Sequence, residues 1–518
     1  MSAETPIRSE FDPDHTSYRR SVQAGAIVTG SSQAVVALCQ IVSVIVLSRL
    51  LTPSDFGIVA MSWPVIGLLS IFQDFGLTQA TVQRPGITRQ DVNFLFWLNV
   101  GISGLVALAI FATAPLAAAF YSEPKIAALL MAMSCLVLIQ GLGAQHTALL
   151  NRRMRFPALS AMEVAGALGG LATSVTWALI APSYWALFGG SLVTVLLPVI
   201  IAWTLSGWRP GLPRRHTLVR APRRTHPCDF CGARAEGARA LVNFGAGLTG
   251  FNLSNFVARN ADNVLIGRFL GGAPLGLYDR AYKLMLMPLR QATNPLARVM
   301  VPTLARLSDD PARYRQAYLT VVPLLLIALV PGVAALIIVA PTFIPFLLGP
   351  EWQESALIFS ALGFAGLLQP LNNPAGWLFI SQGRSRDFMI WGVVTATTSV
   401  AAFVIGLPYG VYGVAVCYTI SEYLRTPFLW WFIGRKGPVK VRDMLASAGP
   451  TLIGAHLAIG GFFWLDPVLP GNPIAQAAIA ASLTYSVSIL IALIFPSGRE
   501  AARNLFGMIP LRLQRKSS

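Results

Sequence analysis

YLTVVPLLLIALVPGVAALIIVA, residues 318–340, runs for 23 residues without one formal charge. At 1.5 Å of rise per residue, a helix of about 20 apolar residues matches the roughly 30 Å hydrocarbon layer of a bilayer. The same texture recurs along the chain. Hydrophobic residues make up 54% of the 518 and charged residues only 12%, more apolar surface than soluble cores absorb. Lipid is therefore the solvent in which the sequence has to be read.

Working outward from 318–340 with a span of about 20 residues gives fourteen candidate helices. Six come first, at 24–48, 57–80, 93–119, 126–149, 158–181 and 184–206. Eight follow a basic connector, at 242–267, 275–301, 318–340, 355–381, 388–408, 411–433, 445–465 and 474–496. Residues 1–21 are polar, with Glu10, Asp12 and Asp14, and lack the apolar core and small-residue cleavage site of a signal peptide. The first apolar segment is therefore expected to stay in the membrane.

Basic residues sort to alternate connectors, as the positive-inside rule requires. Arg84 and Arg89, then Arg152, Arg153 and Arg155, then the arginines of 207–240 fall on one side. Arg306, Arg313 and Arg315, then Arg384 and Arg386, then Arg435, Lys436, Lys440 and Arg442, and the basic tail fall on the same side. Arg49, Lys125 and Arg268 fall opposite. With the basic side cytoplasmic, both termini are expected inside and the protein in a bacterial inner membrane. The net charge of +17 is thereby explained by orientation and does not point to nucleic acid as a partner.

No metal or other cofactor is expected. Cys39, Cys135 and Cys417 lie in apolar runs, where cysteine behaves as a small hydrophobe. Cys228 and Cys231, with His216 and His226, sit in the connector, and one Cys-x-x-Cys among arginines is a weak zinc signal. The chain has no G-x-x-x-x-G-K-[ST] phosphate loop and hence no visible ATPase.

An internal repeat relates the halves. Arg49-Leu50-Leu51, followed four residues on by Phe56-Gly57-Ile58, matches Arg268-Phe269-Leu270 and Leu275-Gly276-Leu277 at a constant offset of 219. An even number of helices lies between the copies, so they share one orientation and the repeat is parallel. The expected fold is an all-α polytopic membrane protein of about fourteen transmembrane helices. Two six-helix lobes are related by a parallel pseudo-twofold repeat, and two C-terminal helices are added. The corresponding domains are an N-terminal lobe 1–206, a basic connector 207–240, a C-terminal lobe 241–433 and an extra region 434–518.

Short motifs carry a family resemblance. Leu50-Leu51-Thr52-Pro53-Ser54-Asp55-Phe56-Gly57, Gln73-Asp74-Phe75-Gly76-Leu77, Asp262-Asn263-Val264-Leu265-Ile266-Gly267-Arg268 and Gly276-Leu277-Tyr278 resemble, in order and spacing, the Wzx-type polysaccharide transporters. These are flippases of the multidrug/oligosaccharidyl-lipid/polysaccharide superfamily. The resemblance covers most of 20–435 and implies two six-helix lobes around a central cavity, often with two extra helices. It also implies translocation of an undecaprenyl-diphosphate-linked oligosaccharide from the cytoplasmic to the periplasmic leaflet. The connector with its Cys-x-x-Cys departs from that pattern.

Polar residues at bilayer depth mark a pathway more often than a packing accident. Asn252, Asn255, Arg259 and Asp262 fall at i, i+3, i+7 and i+10, on one helical face. Gln33 and Gln40 correspond to Asn252 and Arg259 by the offset of 219. Arg290, Asn294 and Arg298 form a second stripe at i, i+4 and i+8, with Lys283 nearer its outer end. A diphosphate is multiply negative and the guanidinium fork suits its oxygens. Arg259, Arg290, Arg298 and Lys283, with Arg49 or Arg268 at the outer mouth, are therefore candidates to guide such a headgroup. Arg259 and Asp262, one turn apart, alternatively neutralise each other, and Glu422 and Arg425 read as a local ion pair.

Asp74, Glu163 and Asp262 are candidates for ion coupling, because a desolvated carboxylate can exchange a proton near neutral pH. Binding of Na+ and helix-packing hydrogen bonds are the competing explanations for Asp74 and Glu163. Pro64, Pro198, Pro288, Pro295, Pro323, Pro331, Pro370 and Pro374 are expected to interrupt membrane helices, either for motion or for static packing.

The expected function is transport, not enzymatic chemistry. The cargo is a lipid-linked oligosaccharide for exopolysaccharide, capsule or O-antigen synthesis, moved by alternating access. Partners are membrane lipids, a polysaccharide polymerase and chain-length machinery. Export of another lipid-linked precursor or of a drug keeps the fold and changes the cargo. A membrane-embedded polymerase or ligase is disfavoured because every outer connector is short.

Overall fold

A computed structural model describes residues 18–71, 78, 81–82, 87–211, 256–257, 259–465, 472–496 and 498–499. They contain α-helix, two short 3-10 turns and no strand. The chain divides into two compact units, 1–256 and 257–518. Ten continuous helical segments among the described residues are long and apolar enough to cross a bilayer, the segment 385–434 comprising two helices. Leu116, Ile180 and Trp464, exposed to 71%, 80% and 85%, present bulky apolar surface outward, the arrangement lipid requires and water penalises.

In the first unit the helices are α1 (Tyr18–Leu50), α2 (Pro53–Ser70), α3 (Arg89–Tyr121), α4 (Lys125–Arg152), α5 (Phe156–Ile180) and α6 (Tyr184–Leu205). The motif around Thr52 has a plain physical role at the start of α2. Thr52 and Asp55 form a reciprocal capping box, with Pro53 in the first turn. The second oxygen of Asp55 accepts from the backbone N–H of Tyr184 at 3.0 Å, so one carboxylate caps α2 and α6 together.

In the second unit a helical stretch 259–269 precedes α7 (Gly272–Arg306), α8 (Pro311–Leu348), α9 (Gln353–Ser381), α10 (Ser385–Gly406), α11 (Gly410–Gly434), α12 (Val441–Leu465) and α13 (Pro473–Ile494). Thr52 and Gly271, related by the offset of 219, are the N-cap residues of α2 and α7. The repeat extends to packing. In the first unit α4 touches α2, α3 and α6, and α5 lies along α6; in the second α9 touches α7, α8 and α11, and α10 lies along α11. The last two helices, α12 and α13, pack on each other and along α8. Arg315 donates to Asp443 at 2.8 Å, Tyr485 to the Ala328 carbonyl at 2.7 Å and Thr342 to Gln476 at 2.7 Å, tying α8 to the pair at three levels.

Each unit also repeats two devices where its fifth and sixth helices meet. A Cβ on Gly170 would stand 2.9 Å from the Gly190 carbonyl oxygen, and one on Gly406 would stand 2.6 Å from the Gly413 carbonyl oxygen. Backbones approach this closely only with small residues between them. At the basic end, Arg155, the N-cap residue of α5, donates to the Leu205 carbonyl at 3.0 Å. Arg384, the N-cap residue of α10, donates to the Phe432 and Ile433 carbonyls at 3.3 and 3.2 Å. Both guanidinium groups thus meet carbonyls of the last turn of a helix, where the ladder runs out of N–H partners for groups such as the Leu205 and Phe432 carbonyls.

The two arginines differ in burial, and that difference makes a prediction. Arg384 has an 11% exposed side chain and is further held by Asp387 at 3.0 Å, whereas Arg155 is exposed. Arg384→Ala is expected to cost about 2 kcal/mol, typical of hydrogen bonds to a charged group. Arg155→Ala is expected to cost much less. Thermal unfolding of the purified variants checks this, and equal shifts would contradict it.

The prolines do not break helices as the sequence suggested. Pro64, Pro198, Pro288, Pro295, Pro323, Pro331, Pro370 and Pro374 all lie inside continuous helices. In lipid a broken helix frees several backbone groups, whereas a proline within it forfeits one hydrogen bond, so the helix continues.

Candidate functional site

Among the long helices of the second unit, α7 is not one of the segments apolar enough to count as a span. Its 35 residues include Asp279, Arg280, Lys283, Arg290 and Arg298. Arg290, Asn294 and Arg298 are exposed, and so is Arg259 in the preceding stretch. No ion pair joins Arg259, Arg290 or Arg298 to a described residue. An exposed guanidinium that no described carboxylate pairs with is open to an anion or water.

Lys283 belongs to a different arrangement. Its Nζ lies 2.7 Å from the Oδ2 of buried Asp279, one turn earlier, so its charge is spent within the helix. Glu422 and Arg425 form the ion pair read from their spacing, with side chains 6% and 9% exposed. Arg425 also donates to the Thr395 carbonyl at 3.2 Å, to Thr398 at 2.9 Å and to Ser399 at 3.0 Å, which binds α11 to α10.

Asp262 and Arg259 do not pair with each other. Asp262 is buried, and its carboxylate accepts from Tyr278 Oη at 3.2 Å and from the Asn263 N–H at 2.8 Å. Two of the motifs that carry the family resemblance therefore meet in space, Asp262 from one and Tyr278 from the other. Tyr278 stacks on Tyr282, the ring centroids 6.0 Å apart and the planes 7° from parallel. Tyr282 is half-buried and within electrostatic reach of Asp262, Arg259, Arg290 and Glu422. Tyr418, on α11, lies near Tyr278, Tyr282 and Glu422 and stacks on Phe403.

Tyr282 and Tyr418 escaped the sequence reading, and Tyr278 entered it only as part of a motif. The available signal was their spacing, since Tyr278 and Tyr282 are one turn apart and Arg290 lies two turns further along α7.

In the first unit Gln33 donates to Glu163 at 2.7 Å, joining α1 to α5, and both side chains are exposed. Glu163 thus has a partner that its sequence neighbourhood did not reveal. Beside it Ser32 donates to Ser160 at 3.2 Å. Gln40 is exposed on α1. Asp74, Asn252, Asn255 and the Cys228/Cys231 connector lie outside the described residues.

Among the described residues, ten long apolar helical segments with bulky apolar side chains turned outward define a multi-pass membrane protein. Comparison with known proteins makes the assignment specific. The family model described as polysaccharide biosynthesis protein matches residues 46–221 and 230–357, more than half of the chain. The protein belongs to this family. It is 24% identical over 417 residues to the lipopolysaccharide biosynthesis protein WzxC of Escherichia coli K12, a match covering 79% of this chain and 80% of that protein. It is 24% identical over 477 residues to the succinoglycan biosynthesis transport protein ExoT of Rhizobium meliloti 1021, covering 92% of each. Its fold is that of the lipid II flippase MurJ in an inward closed conformation, with a TM-score of 0.67 at 11% identity over 90% of this chain and 98% of that one.

Proposed function

We propose that this protein is a flippase that moves an undecaprenyl-diphosphate-linked oligosaccharide from the cytoplasmic to the periplasmic leaflet of a bacterial inner membrane. The observation that carries the proposal is the set Arg259, Arg290 and Arg298, exposed on α7 and the helical stretch before it and free of ion pairs with described residues. A diphosphate gains charge-assisted, bidentate hydrogen bonds from such forks. A cationic drug would be repelled by them. Asn294, with Asn252, Asn255, Gln33 and Gln40, supplies neutral donors and acceptors for the remaining polar surface of the cargo.

Transport proceeds by alternating access with an ion gradient as its drive, and no bond of the cargo is made or broken. Asp262 is the favoured coupling carboxylate, because Tyr278 and a backbone N–H hold it without a cation. Glu163, hydrogen-bonded to Gln33, and Asp74 are the alternatives. The N-terminal lobe 1–206, connector 207–240, C-terminal lobe 241–433 and extra region 434–518 are the working parts, with both termini cytoplasmic. A polymerase and chain-length machinery receive the flipped repeat unit. Relatives named for lipopolysaccharide and succinoglycan biosynthesis support a glycan cargo.

The decisive measurement assigns the leaflet of the lipid-linked intermediate in a deletion strain lacking redundant exporters. Accumulation on the cytoplasmic side is expected. Normal appearance on the periplasmic side would remove the flippase reading.

A further inference from the structure

A groove of about 390 Å³ opens between α7 and α8 near the turn 307–310 that joins them, within the volume range of ligand clefts. Each of the two helices packs far more on α9 than on the other, which leaves a cleft between their joined ends. On α8 the wall is Arg313, Gln316, Ala317, Thr320 and Val321, at i, i+3, i+4, i+7 and i+8, one face of a helix. Across from it α7 supplies Thr303 and then Met300. Thr303 donates to the Val299 carbonyl at 2.8 Å and Thr320 to the Gln316 carbonyl at 2.9 Å, so each hydroxyl proton is spent on its own helix. The groove therefore grades, within about two turns, from charge at its mouth to hydrocarbon inside. Val299, 63% exposed, extends the apolar side one turn beyond Thr303. This is the profile of an amphiphile with its headgroup in the interfacial layer and its chain in hydrocarbon.

Position and charge select the amphiphile. At about 100° per residue, Met300 and Thr303 lie roughly 150° round α7 from the centre of the Arg290, Asn294 and Arg298 stripe, so the groove faces away from the series proposed to guide the cargo. The mouth carries both signs of charge in contact, with Arg313 Nε 3.3 Å from Asp310 Oδ2 and the side chains 77% and 47% exposed. An exposed pair of this kind holds little energy, so a headgroup can part it. A purely anionic group would gain the guanidinium and be repelled by the carboxylate. A phosphoethanolamine answers both, its phosphate meeting Arg313 and Gln316 and its ammonium Asp310. We infer that the groove between α7 and α8 holds a phospholipid with a zwitterionic, amine-bearing headgroup, drawn from the leaflet at the basic ends of the helices. The site does not depend on what the protein transports.

The test uses the full-length protein, purified in detergent and stripped of lipid. It is offered phosphatidylethanolamine, phosphatidylglycerol and undecaprenyl phosphate in equal amounts, and native mass spectrometry reads what stays bound. One phosphatidylethanolamine is expected to be retained over phosphatidylglycerol by about threefold to tenfold, the range of an exposed charge-assisted contact. Asp310→Asn keeps a capping side chain for α8 while removing the carboxylate, and should turn the preference toward phosphatidylglycerol. Ala317→Phe fills the groove and should remove that one adduct for either phospholipid. An adduct undiminished by Ala317→Phe, a wild-type preference for phosphatidylglycerol, or displacement of the phospholipid by undecaprenyl phosphate each overturns the inference. Should Ala317→Phe fail to fold, an unchanged headgroup preference in Asp310→Asn overturns it by itself.

Discussion

Replacing Arg290 with alanine is expected to abolish delivery of the glycan to the cell surface, by a factor on the order of tenfold to a hundredfold. One charge-assisted hydrogen bond is worth about 1.5–3 kcal/mol, and a bidentate fork on phosphate lies at the upper end. The residue contributes nothing comparable to folding, because its side chain is exposed and has no ion-pair partner among the described residues. Removing an unpaired charge from a membrane helix should even relieve the protein slightly. Function and stability therefore separate: surface polysaccharide collapses while thermal unfolding is unchanged or moves upward. Arg290→Lys should retain part of the activity, since a lysine keeps the charge and loses the planar fork. Full polysaccharide production by Arg290→Ala, and by the Arg290→Ala/Arg298→Ala double variant, would refute the role.

The second large effect concerns the Glu422–Arg425 pair, where the consequence is structural. Both side chains are more than nine-tenths buried, and Arg425 reaches three further acceptors on α10. Removing one partner leaves a buried charge uncompensated and is expected to cost about 3–5 kcal/mol. Removing both should cost far less, because the desolvation penalty of each ion disappears with it. Thermal unfolding of Glu422→Gln, Arg425→Met and the double variant forms the cycle that tests this. If the double variant loses as much as the two single changes summed, the pair is not energetically coupled.

Much of the fold is legible in the sequence because lipid imposes a simple rule. A run such as 318–340 must be helical to satisfy its own backbone, and α8 extends it to Pro311–Leu348 at the basic end and beyond. The stripe of Arg290, Asn294 and Arg298 is legible because periodicity alone puts those residues on one side of a helix. Contacts between distant segments are a different matter. Gln33 and Glu163 are 130 residues apart, and nothing local to either announces the other. The Lys283–Asp279 pair is local by contrast, because the two residues stand one turn apart on α7. Arg155 and Arg384 were legible as orientation signals, and their bonds to the far ends of α6 and α11 required coordinates.

The unusual polarity of α7 bears on how the chain is made. A segment carrying Asp279, Arg280, Lys283, Arg290 and Arg298 partitions poorly into hydrocarbon by itself, each ionised residue near its centre adding about 2.5–3.5 kcal/mol to the insertion cost. Its main packing partner, α9, begins only at Gln353. During synthesis α7 must therefore wait at the insertion machinery, or be escorted by earlier helices, until α9 has emerged to shelter it.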